Sequence, residues 1–248
     1  MENMMNRRFL TNSKEASVEG NIYADKSALV LDWLLETGIS KKEGFSLREV
    51  ALDRGVSVGL VHRVFGVLVS NGILRIEGMR TAKRFFLKKP SLLFMDWLAH
   101  YNITKKCKIR TYRSGLQGKA ELLEALKKSK LSQKVAFALH SAAEAYGCKN
   151  TNLNTLELYL LDPAARPKIE DALQLEPQER GYEVLLIEPY YKSLLNLNMS
   201  SSENVRSSPT LLTFLDLYHF PLRGLEQAEF IAERIPELKR LYKKNRSQ

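Results

Sequence analysis

Along residues 26–87 the spacing of apolar side chains predicts three helices followed by a two-stranded ribbon. Leu29, Val30, Trp33 and Leu34 recur at helical spacing over residues 26–37, and Gly38 is a stop signal. Ser46 is placed to cap a second, short helix. Glu49 stands three residues on, as a capping box requires, and Leu47, Val50 and Ala51 form an apolar stripe. Gly55 ends that helix in a tight turn. Ser57 then caps a third helix whose Val61, Val64, Phe65 and Leu68 follow the i, i+3, i+4, i+7 pattern. Asn71-Gly72 closes it, and β-rich runs cover residues 73–77 and 83–87 on either side of Gly78-Met79. Short helix, glycine turn, longer helix and ribbon is the order of a winged helix-turn-helix. The first helix packs behind it, which makes Trp33 a core residue.

The pattern then changes. Leu92, Leu93, Met95, Trp97 and Leu98 give residues 91–103 the apolar density of a helix linking two domains. Residues 105–113 alternate cations with other side chains, as an edge strand with one basic face or a linker would. Leu122, Leu123 and Leu126 make an amphipathic helix of residues 117–128. Short strands are expected at 135–139, 156–161 and 184–187, with helices at 140–146 and 166–173 between them. A polar loop at 200–208 precedes helices at 209–218 and 222–235, and a basic tail runs over 239–246. The expected fold class is α+β: an N-terminal winged helix-turn-helix followed by a mixed α/β C-terminal domain. Residues 1–24 would be a flexible arm carrying Arg7 and Arg8. Residues 25–90 would be the winged helix-turn-helix, and 91–248 the linking helix with a C-terminal regulatory domain.

Charge sharpens this reading. The formal net charge is +10, but residues 75–134 hold sixteen Lys and Arg against four Asp and Glu. Residues 1–74 are neutral and residues 135–248 carry −2. Such a basic block suits a polyanion, and beside a helix-turn-helix the natural partner is double-stranded DNA. The third helix would present Ser57, Gly59, His62, Arg63 and Gly66 opposite its apolar stripe. Ser57 would meet a phosphate, Arg63 would pair with a guanine edge, and His62 would bond a base or a phosphate. Arg75, Arg80, Lys83 and Arg84 in the ribbon, with Lys105, Lys106, Lys108, Arg110 and Arg113 beyond it, would hold phosphates. A winged helix used for protein contacts alone is the plainer alternative.

Other chemistry is poorly supported. Cys107 and Cys148 have neither a disulfide framework nor metal-ligand spacing, and no glycine-rich phosphate loop is present. No cofactor is expected. No apolar run reaches the roughly 18 residues of a membrane span, and no signal-like segment follows Arg7-Arg8, so a cytoplasmic, membrane-free protein is expected. Glu157, Asp162, Glu183 and Glu188 lie in or at the ends of strands, with Lys192 near the last. A metal-dependent nuclease or nucleotide-processing enzyme would need them to converge. A ligand-responsive regulator would need an apolar pocket in the C-terminal domain. His140 and Glu144 lie four residues apart on one helix, as a surface hydrogen-bonded pair would. Asp216 and Arg223 suit a buried ion pair fixing the last two helices.

Two stretches carry a resemblance. One is the winged-helix pattern of residues 45–87. The other is Ser-Pro-Thr-Leu-Leu-Thr-Phe-Leu-Asp-Leu-Tyr-His-Phe-Pro-Leu-Arg-Gly-Leu-Glu-Gln-Ala-Glu at 208–229. Together they resemble the AbiEi-like antitoxins of type IV abortive-infection toxin–antitoxin systems. Residues 105–190 share only the family's α/β character. The resemblance implies a DNA-binding autorepressor that is not an enzyme. Its C-terminal domain would oppose a nucleotidyltransferase-type toxin without forming a stable complex. It places Ser57, His62 and Arg63 on the recognition helix and Arg80, Lys83 and Arg84 on the wing.

Overall fold

The structure, a computed structural model, describes residues 21–79, 82–197 and 204–242. Arg7, Arg8 and Arg80 lie outside the described residues, as do parts of the polar loop and of the basic tail.

Three helices come first, α1 (Asp25–Glu36), α2 (Leu47–Arg54) and α3 (Val58–Ser70). An antiparallel ribbon follows, β1 (Leu74–Glu77) paired with β2 (Arg84–Leu87). Aromatic rings join these parts. Trp33 packs edge-on against Phe45, Phe45 against Phe65, and Phe65 against Phe85, at centroid distances of 5.0, 5.7 and 4.8 Å. Phe45 and Phe85 also exchange backbone hydrogen bonds of 3.0 and 2.9 Å. The ribbon is thus fixed to α3 by a ring column and to the α1–α2 connection by main chain.

The chain continues through α4 (Pro90–His100), α5 (Ile103–Lys106), β3 (Lys108–Ser114), α6 (Gly118–Lys128), β4 (Val135–Phe137), α7 (Leu139–Ala145) and β5 (Leu156–Leu160). Then come α8 (Arg166–Ala172), β6 (Leu175–Pro177), β7 (Val184–Glu188), α9 (Lys192–Leu195), β8 (Arg206–Ser207), α10 (Thr210–Tyr218), α11 (Gly224–Arg234) and α12 (Pro236–Leu241). Six of the strands form one mixed sheet in the order β6-β3-β7-β5-β4-β8. The architecture is a mixture of helices and sheets, α+β.

Alternation along the central strands sorts two layers. Leu156, Leu158 and Leu160 of β5 and Val184 and Leu186 of β7 pack under Leu122 and Leu126 of α6 and Ile169 of α8. Tyr159, Leu185 and Ile187 point the other way, into a core shared with α1–α4 and α10–α12. Each fully buried leucine or phenylalanine there stabilises the fold by about 1.5–3 kcal/mol.

Three expectations need correcting, the first two at β3 and the basic tail. β3 is not an edge strand. It lies between β7, paired along Lys108–Tyr112, and β6, paired along Tyr112–Ser114. A strand with three cations becomes interior because its neighbours are acidic: Arg110 bonds Glu188 at 2.5 Å and Arg113 bonds Glu176 across the sheet. The basic tail also begins as a helix, α12, because Leu238 and Leu241 are buried behind its charges. Gly224 of the Arg-Gly pair packs so closely that a Cβ there would lie 2.2 Å from the Leu217 carbonyl oxygen.

Asp216 and Arg223 do not meet. Arg223 is exposed at the start of α11 and bonds Glu226 at 2.8 Å. Asp216 is fully buried in α10, where Tyr101 and Tyr159 each donate a hydrogen bond to one carboxyl oxygen, at 2.7 and 2.6 Å. His219 donates to the Leu98 carbonyl at 2.8 Å, closing the same corner. Burial pushes the Asp216 carboxyl up from 3.8 to about 7, while the two hydroxyls pull it down. Protonation of Asp216 therefore favours the fold. That contribution is full below 3.8 and lost as pH rises through about 7. Tyr159→Phe removes one donor to the ionised carboxylate. It should cost about 1–3 kcal/mol in urea unfolding at about pH 8 and distinctly less at about pH 5. An equal loss at both values would contradict this account of Asp216.

Candidate nucleic-acid interface

The geometry of α2 and α3 follows from their ends. The Ser46 hydroxyl accepts the Glu49 N–H at 3.2 Å, and the Glu49 carboxylate accepts the Ser46 N–H at 3.4 Å, a complete capping box. Gly55 ends α2 at φ 60, a left-handed conformation that costs other residues about 1–2 kcal/mol. Ser57 caps α3 by accepting the Leu60 N–H at 3.2 Å. Val61, Val64, Phe65 and Leu68 of α3 are buried, and Ser57, Gly59, His62, Arg63 and Gly66 are exposed. A Cβ at Gly59 or Gly66 would meet nothing within 4 Å, so the outer face of α3 is open to a close approach.

The ribbon beside α3 turns at Gly78, φ 79. Arg75 is held on its surface by an ion pair with Glu77 and by the Phe86 ring, 5.2 Å below its guanidinium. Arg84 lies 4.0 Å from Glu49. Lys83 is exposed with no ion pair among the described residues. Arg80 lies outside the described residues.

The cations beyond the ribbon are placed differently. Lys105 and Lys106 sit exposed on α5, with the Lys106 ammonium 5.4 Å from the Tyr190 ring centre. Ile109 packs with the α1–α4 layer and Tyr112 with the α6–α8 layer. Lys108 and Arg110 share the Tyr112 side and so point away from the layer that holds α3. Arg110 hydrogen-bonds Glu188 and holds that carboxyl below its ordinary range.

The four strand-end carboxylates are separately engaged. Glu157 is buried and accepts the Ser141 N–H at 2.9 Å, the Ser141 hydroxyl at 2.6 Å and the Tyr182 hydroxyl at 3.3 Å. Asp162 accepts from Lys134 at 3.0 Å, Glu183 accepts the Ser114 N–H at 2.7 Å, and Glu188 accepts from Arg110. Among the described residues no three His, Cys, Asp or Glu are grouped to hold a metal ion. His140 and Glu144 also part company. His140 contacts the Leu222 carbonyl at 2.9 Å, and Glu144 bonds Lys119 and Lys149. A cleft of about 370 Å³ at the sheet end is lined by Ser114, Gln117, Asn154 and Glu183 around Leu116 and Leu122. It is more polar than a pocket for an apolar effector.

A family model described as "Transcriptional regulator, AbiEi antitoxin, Type IV TA system" matches residues 86–236. The chain belongs to the AbiEi antitoxin family. Membership places it among transcriptional regulators with an antitoxin role. The matched span runs from β2 into the α11–α12 junction and contains the whole six-stranded sheet. It includes the 208–229 stretch, and it extends through 105–190, where the sequence alone offered only a general α/β character. No curated protein and no solved structure matches the chain. No described helix is long and apolar enough to cross a membrane.

Sequence spacing located the exposed face of α3, but missed the Phe86 ring beneath Arg75 and the acids opposite Arg110 and Arg113. Ring and acid partners lie across strands and leave no local mark. If α2 is held by its capping box, Ser46→Ala should cost about 1 kcal/mol in urea unfolding. His62→Ala and Arg63→Ala should stay within about 0.5 kcal/mol of the parent. A large loss from Arg63→Ala would mean that the outer face of α3 is structural.

Proposed function

We propose that this AbiEi-family regulator binds double-stranded DNA through a winged helix-turn-helix formed by residues 25–90. In this reading α3 enters the major groove, with Arg63 and His62 at base edges, and the β1–β2 ribbon is the wing. The observation that carries it is the open face of α3, two glycines with His62 and Arg63 between them, set beside a ribbon with exposed Arg75, Lys83 and Arg84. Arg80, Lys105 and Lys106 would add phosphate contacts. Lys108, Arg110 and Arg113 would contribute less, because Lys108 and Arg110 face the other layer and Arg110 and Arg113 have carboxylate partners. Ser57 offers its hydroxyl to a phosphate at the start of α3. The C-terminal unit, residues 91–248, supplies antitoxin activity. It opposes a cytoplasmic nucleotidyltransferase-type toxin without a stable complex.

The test is a salt titration with duplexes from the DNA upstream of its own coding sequence. Affinity should fall steeply between about 50 and 200 mM salt. Lys83→Ala should lower the log–log slope by about 0.9 and weaken all duplexes alike. Arg63→Ala should instead cost about 1–3 kcal/mol against the preferred duplex and narrow the gap between sequences. Affinity indifferent to salt would rule out phosphate clamping, and identical behaviour of the two variants would remove the division between reading helix and clamping wing.

A further inference from the structure

We propose that Met79, at the tip of the β1–β2 ribbon, is an apolar wedge that enters the minor groove of duplex DNA and unstacks a base step. The proposal rests on the duplex-binding reading above and adds a contact of a different chemistry.

The ribbon runs off the end of the core that anchors it. Leu74 is buried at 3% exposure, Ile76 on the same strand face is 39% exposed, and Met79 is 82% exposed. Apolar side chains thus step outward into solvent. Gly78 has φ 79, a Cβ there would lie 2.5 Å from the Ala82 carbonyl oxygen, and the Ala82 N–H bonds the Met79 carbonyl at 3.1 Å. Met79 makes none of the core's packing contacts. Among the described residues of the ribbon, Ile76 and Met79 are the large apolar side chains exposed to solvent.

The charges around it select the occupant. Arg75 and Arg84 are exposed on the two strands beside Glu77 and Glu49, and Lys83 is exposed just before β2. An apolar pocket alone would receive Met79 but leave Lys83, which has no ion pair among the described residues, without a counterpart. The minor groove receives both, with phosphates along its rims for the cations and base steps at its floor for the thioether. Apolar side chains enter such steps and kink the duplex. A flexible, polarisable thioether adapts to the opened step. TA and CA/TG steps open most easily, so the wedge would add preference at positions that make no hydrogen bond to the protein.

The experiment uses the full chain and duplexes of about 30 bp tiled upstream of its own coding sequence, each with 2-aminopurine at a TA or CA step. The parent should raise the fluorescence at one step as that base unstacks. Met79→Ala should abolish the rise and weaken binding about tenfold, with an unchanged salt slope, since no phosphate contact is lost. Met79→Leu should restore both, and all three proteins should melt alike. The wedge is overturned if Met79→Ala retains the rise and the affinity, or if the parent produces no rise at any step while still binding duplex. Absence of all duplex binding would overturn the winged-helix reading itself, and the wedge with it.

Discussion

Helix α1 is enclosed on every side, and the placement of the other helices depends on that enclosure. Nine consecutive residues, 27–35, are buried, including the polar Ser27 and Asp32. One side packs on α2 and α3, and the other on α4 and α9. Polar contacts fix its two ends and its middle. Ser193 of α9 donates to Asp25 from its N–H and hydroxyl, at 2.9 and 2.8 Å. Arg240 of α12 donates to the carbonyls of Leu35 and Glu36, both at 3.2 Å, where a helix C-terminus favours a cation. Arg54 bonds Asp32 at 2.9 Å, and burial pushes that carboxyl up to about 7. Trp33 donates to Asp53 at 2.8 Å. Trp97 and Tyr191 extend the same joint, since the indole N–H meets the Tyr191 hydroxyl, which donates to the Tyr23 carbonyl.

This arrangement changes how the charge should be understood. By sequence position, residues 75–134 form one basic block. In space the block is divided by the sheet. The ribbon cations lie beside α3, whereas Lys108 and Arg110 share the α6–α8 side and Arg110 and Arg113 are matched by acids on neighbouring strands. The neutral segment before residue 75 is thus served by a smaller set of cations than the count implies. Most of the proposed DNA affinity would come from the ribbon, Lys105 and Lys106. α9 and α12, from the C-terminal half of the chain, hold α1 at its two ends.

Much of the N-terminal architecture was legible because its signals are local. Ser46 with Glu49, Gly55, Ser57 and the Val61–Val64–Phe65–Leu68 spacing each specify a helix end or face within a few residues. The C-terminal misses share the opposite cause. β8 is two residues inside a polar loop, held by parallel pairing with β4, and has no periodicity to find. α12 hid its buried Leu238 and Leu241 among lysines and arginines. Asp216 looked like the partner of the nearest cation in sequence. A fully buried carboxylate is better served by Tyr101 and Tyr159, from 115 and 57 residues away, because two neutral donors satisfy it without burying a second charge. On the candidate interface, spacing found which α3 residues face outward. It had no access to the carboxylates that neutralise β3.

Hydrogen exchange of the intact protein addresses the enclosure of α1 directly. The backbone amides of residues 29–35 in α1 and of Leu156–Leu160 in β5 would be followed under native conditions in one experiment. If α1 belongs to the same cooperative unit as the sheet, the two sets should open with free energies within about 1 kcal/mol of each other. Opening of α1 several kcal/mol more easily than β5 would show that α1–α3 unfold on their own, and the coupling described here would be wrong.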